Sequence, residues 1–224
     1  MAITISGNGI VEANLADNAV TLAKMASGTD GEILTYDASG NPTAVSVGTD
    51  GQVLTSTGAG SPPAFETAAA GGITEADTWR ITTSFAGSAT PITSNWERDD
   101  DGGNGLLGTG MTQASGIFTF PSTGFWVVSF VATTALNGQS RTGTNIIKYS
   151  SDSGSTYTAV AQGKFSTSST ARDDTAYTQK IFDITNISTT RLRFDISIYD
   201  TAHTTIGQST ANTTFVTFIK LGDT

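Results

Sequence analysis

Gly116-Ile117-Phe118-Thr119-Phe120-Pro121-Ser122-Thr123-Gly124-Phe125-Trp126-Val127-Val128-Ser129-Phe130 is the stretch around which this 224-residue chain is organised. Residues 117–120 are β-branched and aromatic, a short strand, and Pro121 ends its ladder because proline has no N–H to donate. Gly124 supplies the positive φ that a tight turn often needs. A second strand over residues 125–132 is apolar on both faces: Phe125, Val127 and Val131 point one way, Trp126, Val128, Phe130 and Ala132 the other. An antiparallel strand with one wet face alternates. This one does not, so both faces require cover. One side is the domain's own core; the other needs a second sheet edge, a loop, or another copy of the chain.

The pattern Gly-x-Phe-x-Phe-Pro-x-x-Gly-Phe-Trp-x-x-x-Phe resembles the signature of the complement and tumour-necrosis-factor-like jelly rolls. The closing segment Thr214-Phe215-Val216-Thr217-Phe218-Ile219-Lys220-Leu221-Gly222 is similar to that family's last strand. The resemblance covers roughly the last two thirds of the chain. It implies an all-β fold: an antiparallel jelly-roll sandwich that assembles as a homotrimer, with Phe125, Trp126, Val128, Phe130 and Phe218 in the trimer interface or core.

Composition sets outer limits. A formal charge of −9 and a pI near 4.3 argue against a nucleic-acid surface, which needs clustered Lys and Arg. Without cysteine there is no disulfide framework, thiolate nucleophile or Cys-ligated zinc, and the single His203 excludes a site built on two imidazoles. No apolar run approaches the ~18 residues of a membrane span. The N-terminus Met1-Ala2-Ile3-Thr4-Ile5 lacks the basic start and apolar core of a secretory signal. Neither membrane insertion nor Sec-type export is expected.

The chain opens on a short alternating strand, then shows a single helical pattern. Asp17 caps it, Gly28 stops it, and Leu15, Ala19, Leu22 and Ala26 form a narrow coiled-coil-like stripe. A helix this short is marginal alone, so it pairs with copies of itself or docks on a partner, unless it lies on the chain's own domain. An internal repeat follows. Gly28-Thr29-Asp30-Gly31-Glu32-Ile33-Leu34-Thr35 is answered by Gly48-Thr49-Asp50-Gly51-Gln52-Val53-Leu54-Thr55, and Gly40 and Pro42 by Gly60 and Pro62. Each unit reads as a Thr-Asp-Gly turn feeding a short strand, with Asp30 and Asp50 accepting nearby amides. Neither carries enough apolar surface to fold alone; such repeats stack or intertwine. These segments, with the upstream Asn14-Leu15-Ala16-Asp17-Asn18-Ala19-Val20-Thr21-Leu22-Ala23-Lys24-Met25, resemble the shafts and attachment arms of tailed-bacteriophage fibres.

The domains expected are therefore an attachment and trimerisation segment (1–27), two shaft repeats (28–66), a linker (67–76) containing Ala68-Ala69-Ala70-Gly71-Gly72, and a jelly-roll head (77–224). In the head, residues 145–150 and 157–162 flank Ser151-Asp152-Ser153-Gly154 as a hairpin. Leu192, Phe194, Ile196 and Ile198 alternate with Arg191, Arg193, Asp195 and Ser197 as a half-buried strand.

The best chemical candidate is Asp99-Asp100-Asp101-Gly102-Gly103-Asn104-Gly105, where Asp99, Asp101 and Asn104 offer the oxygen ligands that Ca²⁺ takes. The spacing lacks a distal Glu, and three consecutive acids are not expected all to turn inward, so a solvated acidic turn competes with it. Glu97, Arg98, Arg172, Asp173 and Asp174 read as surface charge, with Arg98 or Arg172 able to cross a subunit boundary. His203 reads as an exposed loop residue. Asn186-Ile187-Ser188 and Asn212-Thr213-Thr214 match the glycosylation pattern by accident in a chain made without export. The expectation is a binding protein, not an enzyme, without a cofactor. It is a virion-surface trimer anchored to other virion proteins by its N-terminal arm, on tail or capsid, and presenting its head to a host glycan or protein. Capsid decoration and a free lectin-like trimer are the alternatives.

Overall fold

The computed structural model describes residues 27–68, 71–103, 106–136, 141–167, 172–199 and 203–224. The stripe Leu15, Ala19, Leu22 and Ala26 lies outside the described residues, as does Asn104. Regular structure among the described residues is entirely β. The chain divides into two compact units, the second running Gly71–Thr224.

In the first unit, β1 (Ile33–Tyr36) and β2 (Pro42–Val45) form one antiparallel hairpin, and β3 (Gln52–Thr55) and β4 (Ala64–Thr67) a second. Each is entered by the repeated turn. The third residue has positive φ, 82° at Gly31 and 84° at Gly51, as a type II turn requires. Its closing amide donates back to the first carbonyl, Glu32 to Thr29 at 3.1 Å and Gln52 to Thr49 at 3.2 Å. The side-chain acceptor is not the expected Asp30 or Asp50. The Thr29 amide donates to Glu32 Oε2 at 2.9 Å and the Thr49 amide to Gln52 Oε1 at 2.7 Å. Glu and Gln share that oxygen and little else, so the turn is indifferent to the charge change between repeats.

The repeat then diverges. The first loop, residues 37–41, is closed by Asp37, which accepts the amides of Ser39 and Asn41 at 2.8 and 2.9 Å. The Asn41 amide above all holds that carboxyl below its ordinary value. The second loop, residues 56–63, is longer and is closed by the Thr57 hydroxyl donating to Pro62 O at 2.6 Å.

The second unit contains β5 (Ala76–Ile81), β6 (Thr83–Ala86), β7 (Trp96–Arg98), β8 (Thr112–Ala114), β9 (Ile117–Thr119), β10 (Gly124–Leu136), β11 (Arg141–Ser150), β12 (Thr158–Thr167), β13 (Arg172–Ile184), β14 (Arg191–Ile198), β15 (His203–Gln208) and β16 (Phe215–Gly222). They form a sandwich of two antiparallel sheets with jelly-roll connections. One sheet runs β6-β15-β10-β16-β5-β7, with β13 on the other side of β10; the second runs β12-β11-β14-β9-β8.

The opening stretch spans both layers: β9 pairs with β8 and β14 in the smaller sheet, while β10 is the axis of the larger. The turn between them is a crossover, and Gly124, at φ 134°, lies where a Cβ would strike the Gly222 carbonyl. One edge of β10 is paired along its length with β13, from Gly124↔Ile184 to Leu136↔Arg172. The other is shared, β16 taking residues 125–131 and β15 residues 134–136.

Trp126, Val128, Phe130 and Ala132 point inward, are buried, and meet Phe194, Ile196 and Ile147 of the facing sheet. Phe118 sits at the centre of an aromatic cluster, with ring centroids 5.1 Å from Trp96, 5.3 Å from Phe194, 5.4 Å from Phe218 and 5.7 Å from Trp79. Buried Asn145 ties the layers together, donating from Nδ2 to Phe130 O at 2.9 Å and Ala176 O at 3.1 Å. The expected hairpin is present as β11 and β12, with Ser153 and Gly154 at positive φ in its turn.

Gly143 pairs with Phe165, and a Cβ there would fall inside the Phe165 ring. Gly143→Ala should therefore displace a buried aromatic and cost about 1–3 kcal/mol, read as a lower urea midpoint at unchanged slope. Combined with Phe165→Ala, the added methyl should cost little more.

Candidate assembly surface and ionic clusters

The outer face of the larger sheet is set by the register that buries its inner one. Val127 sits between Ile181 and Ile219, Val131 between Tyr177 and Phe215, and Phe125 between Asp183 and Gly222. Among these, Phe125 is 41% exposed, Tyr177 and Ile181 each 57%, and Leu221, at the bulge opposite residues 125–126, 52%. They fall in two apolar rows, Ile181-Val127-Ile219 with Phe125 and Leu221 beside it, and Tyr177-Val131-Phe215, separated by a polar row in which Gln179 Nε2 donates to Ser129 Oγ at 3.3 Å opposite Thr217.

The sequence-derived set of interface or core residues thus divides. Trp126, Val128, Phe130 and Phe218 lie inside the chain's own core, and Phe125 alone faces outward. Tyr177 and Ile181 were missed because β13 mixes polar and apolar residues on both faces and only its pairing with β10 aligns them; Leu221 was missed because the register shift of β16 opposite residues 125–126 turns it outward.

At the β5–β7 margin of this face lies an ionic cluster. Buried Arg80 is opposite Phe215 and Glu97 in the ladder. Its Nε donates to Glu97 at 3.0 Å, its Nη1 to Asp99 and Asp101 at 2.7 Å each, and its Nη2 to Asp100 at 2.6 Å. All three consecutive acids do turn to one point, contrary to expectation. The cation they meet is the chain's own guanidinium.

Burial alone would lower Arg80's pKa. The Glu97 hydrogen bond and the charges of Asp101, Glu97 and Asp99 outweigh it and raise it. Among the described residues no group of three or more acids or histidines is disposed to hold a metal. Glu97 and Arg98 are likewise not free surface charge: Arg98 Nε donates to buried Asp77 at 3.0 Å and its guanidinium lies 4.8 Å from the centre of the Trp79 ring. Asp77 also accepts the Trp79 indole at 2.9 Å and the Met111 amide at 2.7 Å. The Asn212 side-chain amide donates to Asp99, so that glycosylation motif is committed to the fold.

The outer face of the smaller sheet carries the opposite arrangement. Asp195, expected on the wet side of β14, is fully buried, with Lys148 Nζ at 3.1 Å and Arg193 Nε at 3.3 Å. The Arg193 guanidinium lies 4.4 Å from the centre of the Tyr157 ring. Burial pushes the Tyr157 hydroxyl up, against the opposing pull of Arg193 and Arg191.

The adjacent turn is organised by Asp152. It accepts the Ser150 hydroxyl at 2.7 Å, the Thr156 amide at 2.9 Å and the Thr156 hydroxyl at 2.6 Å. These bonds, the Ser150 hydroxyl first, hold its carboxyl down at about 2 against an ordinary 3.8. His203 is not in an exposed loop but buried at the start of β15, its ring 5.7 Å from that of Phe165.

No family model matches the chain, and no curated protein matches its sequence. Solved structures do resemble it. The structure of Eiger TNF from S. frugiperda aligns at TM-score 0.50 with 12% identity, covering 67% of this chain and 94% of that one. Murine APRIL at pH 5.0 aligns at TM-score 0.48 with 14% identity, covering 66% and 98%. At such identity the Eiger likeness speaks to fold alone, and the fold it shares is the tumour-necrosis-factor-like jelly roll expected from residues 116–130 and 214–222.

Two measurements check these clusters. Arg80→Leu should cost about 3 kcal/mol, mostly through the buried Asp99 limb since Asp100 and Asp101 are solvated, and Asp99→Asn should recover part of it. In a carbon-13 pH titration Asp152 should show a midpoint of about 2. Because the folded value is depressed, its contribution is complete above about 3.8 and lost as pH falls through about 2; Ser150→Ala should move the midpoint up.

Proposed function

We propose that the chain is a homotrimeric structural protein of a tailed-phage particle, attached by its N-terminal arm and presenting the jelly-roll unit to the host surface. Its action is binding rather than turnover. The observation that carries this reading is the outer face of the larger sheet: Phe125, Val127, Ile181 and Leu221 form an apolar patch, with Tyr177 beyond the polar row at Ser129, that a solitary sandwich leaves in water. Cyclic association of three copies buries such a face and closes without an open end. The ordered charges of the Arg80 cluster at its margin suit a polar rim around an apolar centre.

Particle attachment is supported separately by the arm. The β1–β2 and β3–β4 hairpins expose Leu34, Tyr36, Val53 and Leu54, as repeats do that complete their cores against neighbouring chains. Three heads present three identical loop sets, and avidity turns weak single contacts into firm attachment. Two hairpins give little reach, which favours a short appendage. A capsid-decorating role for the same trimer is the second reading.

Sedimentation of the full chain should give about 69 kDa, three times the 23.1 kDa protomer. Ile181→Glu should yield a folded monomer. A wild-type monomer at micromolar concentration overturns the assembly. Competition by the purified chain with host adsorption supports the host-binding role. Loss of capsid heat resistance on its removal, with adsorption intact, identifies decoration instead.

A further inference from the structure

The outer face of the smaller sheet is the side of the sandwich turned away from the apolar face, so a trimer sealed through the latter leaves it free. There the chain, with a formal charge of −9, gathers cations. Lys148 and Arg193 are ladder partners and both reach the single buried carboxylate of Asp195, which leaves one positive charge over. Arg191, two residues away on the same face, acts on Tyr157 together with Arg193. The nearby acid Asp152, held ionised by Ser150 and Thr156, offsets Arg191 and leaves the cluster's excess at one positive charge.

The donors are also incompletely used. Arg193 Nε and Asp195 Oδ1 lie at ion-pair distance, yet both are buried without a hydrogen bond of good geometry. The Nη2 bond to Asp195, at 3.5 Å, is at the limit of what counts as one. Meanwhile the guanidinium lies over the Tyr157 ring, 4.4 Å from its centre, and the turn next to Tyr157 is braced by Asp152 and by the Ser153 amide donating to Thr189 O at 2.8 Å. A guanidinium seated on Tyr157 and only partly engaged by Asp195, an ammonium beside it and a hydroxyl-bearing ring at its flank form a preorganised site for an oxyanion.

We infer that Arg193, Lys148 and Tyr157 bind a carboxylate or phosphate group carried on a surface polysaccharide, one site per chain. The oxyanion follows from the charges; the polysaccharide rests on the host-surface role proposed above. The turn beside Tyr157 carries Ser153, whose hydroxyl suits those of a neighbouring sugar ring, while the Ser155 and Thr156 hydroxyls donate to Asp152.

Calorimetry on the full chain tests this with three probes: polygalacturonate for carboxylate, glycerol-phosphate teichoic acid for phosphate, and neutral dextran. At least one anionic polymer should bind where dextran does not, and high salt should weaken it. The one that binds identifies the source of the oxyanion. Arg193→Gln and Lys148→Gln should each weaken binding about tenfold, with Arg193→Lys recovering only part.

Should Arg193→Gln fail to fold, Asp195→Asn keeps the shape and removes the competing carboxylate, so binding should tighten several-fold. Equal indifference to all three polymers, or binding unmoved by both Arg193→Gln and Asp195→Asn, overturns the site. A trimer that adsorbs to host cells yet ignores both anionic polymers sinks this site alone. A monomer that still binds them sinks only the assembly.

Discussion

Every layer of the second unit is placed by one constraint: β10 is a thirteen-residue strand with partners on both edges and large apolar side chains on both faces. Pairing both edges satisfies its backbone, which a strand at the centre of a sheet could not leave open. Pairing also dictates what surrounds it. The full-length match with β13 commits that strand to the same sheet, and the division of the opposite edge between β16 and β15 forces the last two strands to approach β10 at different heights. Once Trp126, Val128 and Phe130 face inward, Phe118, Phe194 and Phe218 have a wall to pack on and the smaller sheet is drawn over them. Phe125, Val127 and Val131 are the unavoidable consequence on the other side.

Much of this was legible at 116–130, because proline, glycine and period-two patterning are local signals. The β11–β12 hairpin and the alternation of β14 were legible for the same reason. What escaped notice depends on residues brought together from a distance. Arg80 precedes its acids by 17 to 21 positions, and only the β5–β7 pairing places the guanidinium beneath them, so the acidic run read as a solvated turn or a calcium loop. Asp195 occupies a position whose alternation says solvent, yet two cations cover it; a long Lys or Arg side chain buries a neighbour without leaving any trace in hydropathy. His203 looked exposed among threonines, but Thr205 beside it is buried too, because β15 completes the edge of β10.

The first unit follows a different physical logic. Its turns are well specified: the same four-residue unit recurs with the same glycine conformation and the same returning side-chain oxygen. Its strands are not, since isolated two-stranded hairpins are marginal in water and these leave Leu34 and Tyr36 62% and 67% exposed. Strong local geometry with weak burial means that each hairpin takes its shape from its own turn rather than from a core. That the second loop could lengthen without disturbing the turn before it agrees with this: each hairpin is closed by its own short-range bonds, Asp37 in one and Thr57 in the other.

The two outer faces of the sandwich are electrical opposites, and this bears on how copies can meet. On one, a single buried cation is surrounded by Glu97, Asp99, Asp100 and Asp101, an excess of negative charge. On the other, a single buried anion is held by Lys148 and Arg193, an excess of positive. Neither cluster is efficient as a source of stability, since burying charge costs solvation that pairing only partly returns. Their effect on specificity is larger. Two larger-sheet faces brought together so that their Arg80 margins meet would oppose like charge, whereas arrangements that keep those margins apart avoid the penalty. In the trimer proposed above, the apolar rows would supply the drive to associate without directing it, and the acidic margin would remove wrong orientations. A rotational arrangement, in which each chain uses one surface to cover a different surface of the next, satisfies both demands where a face-to-face dimer would not.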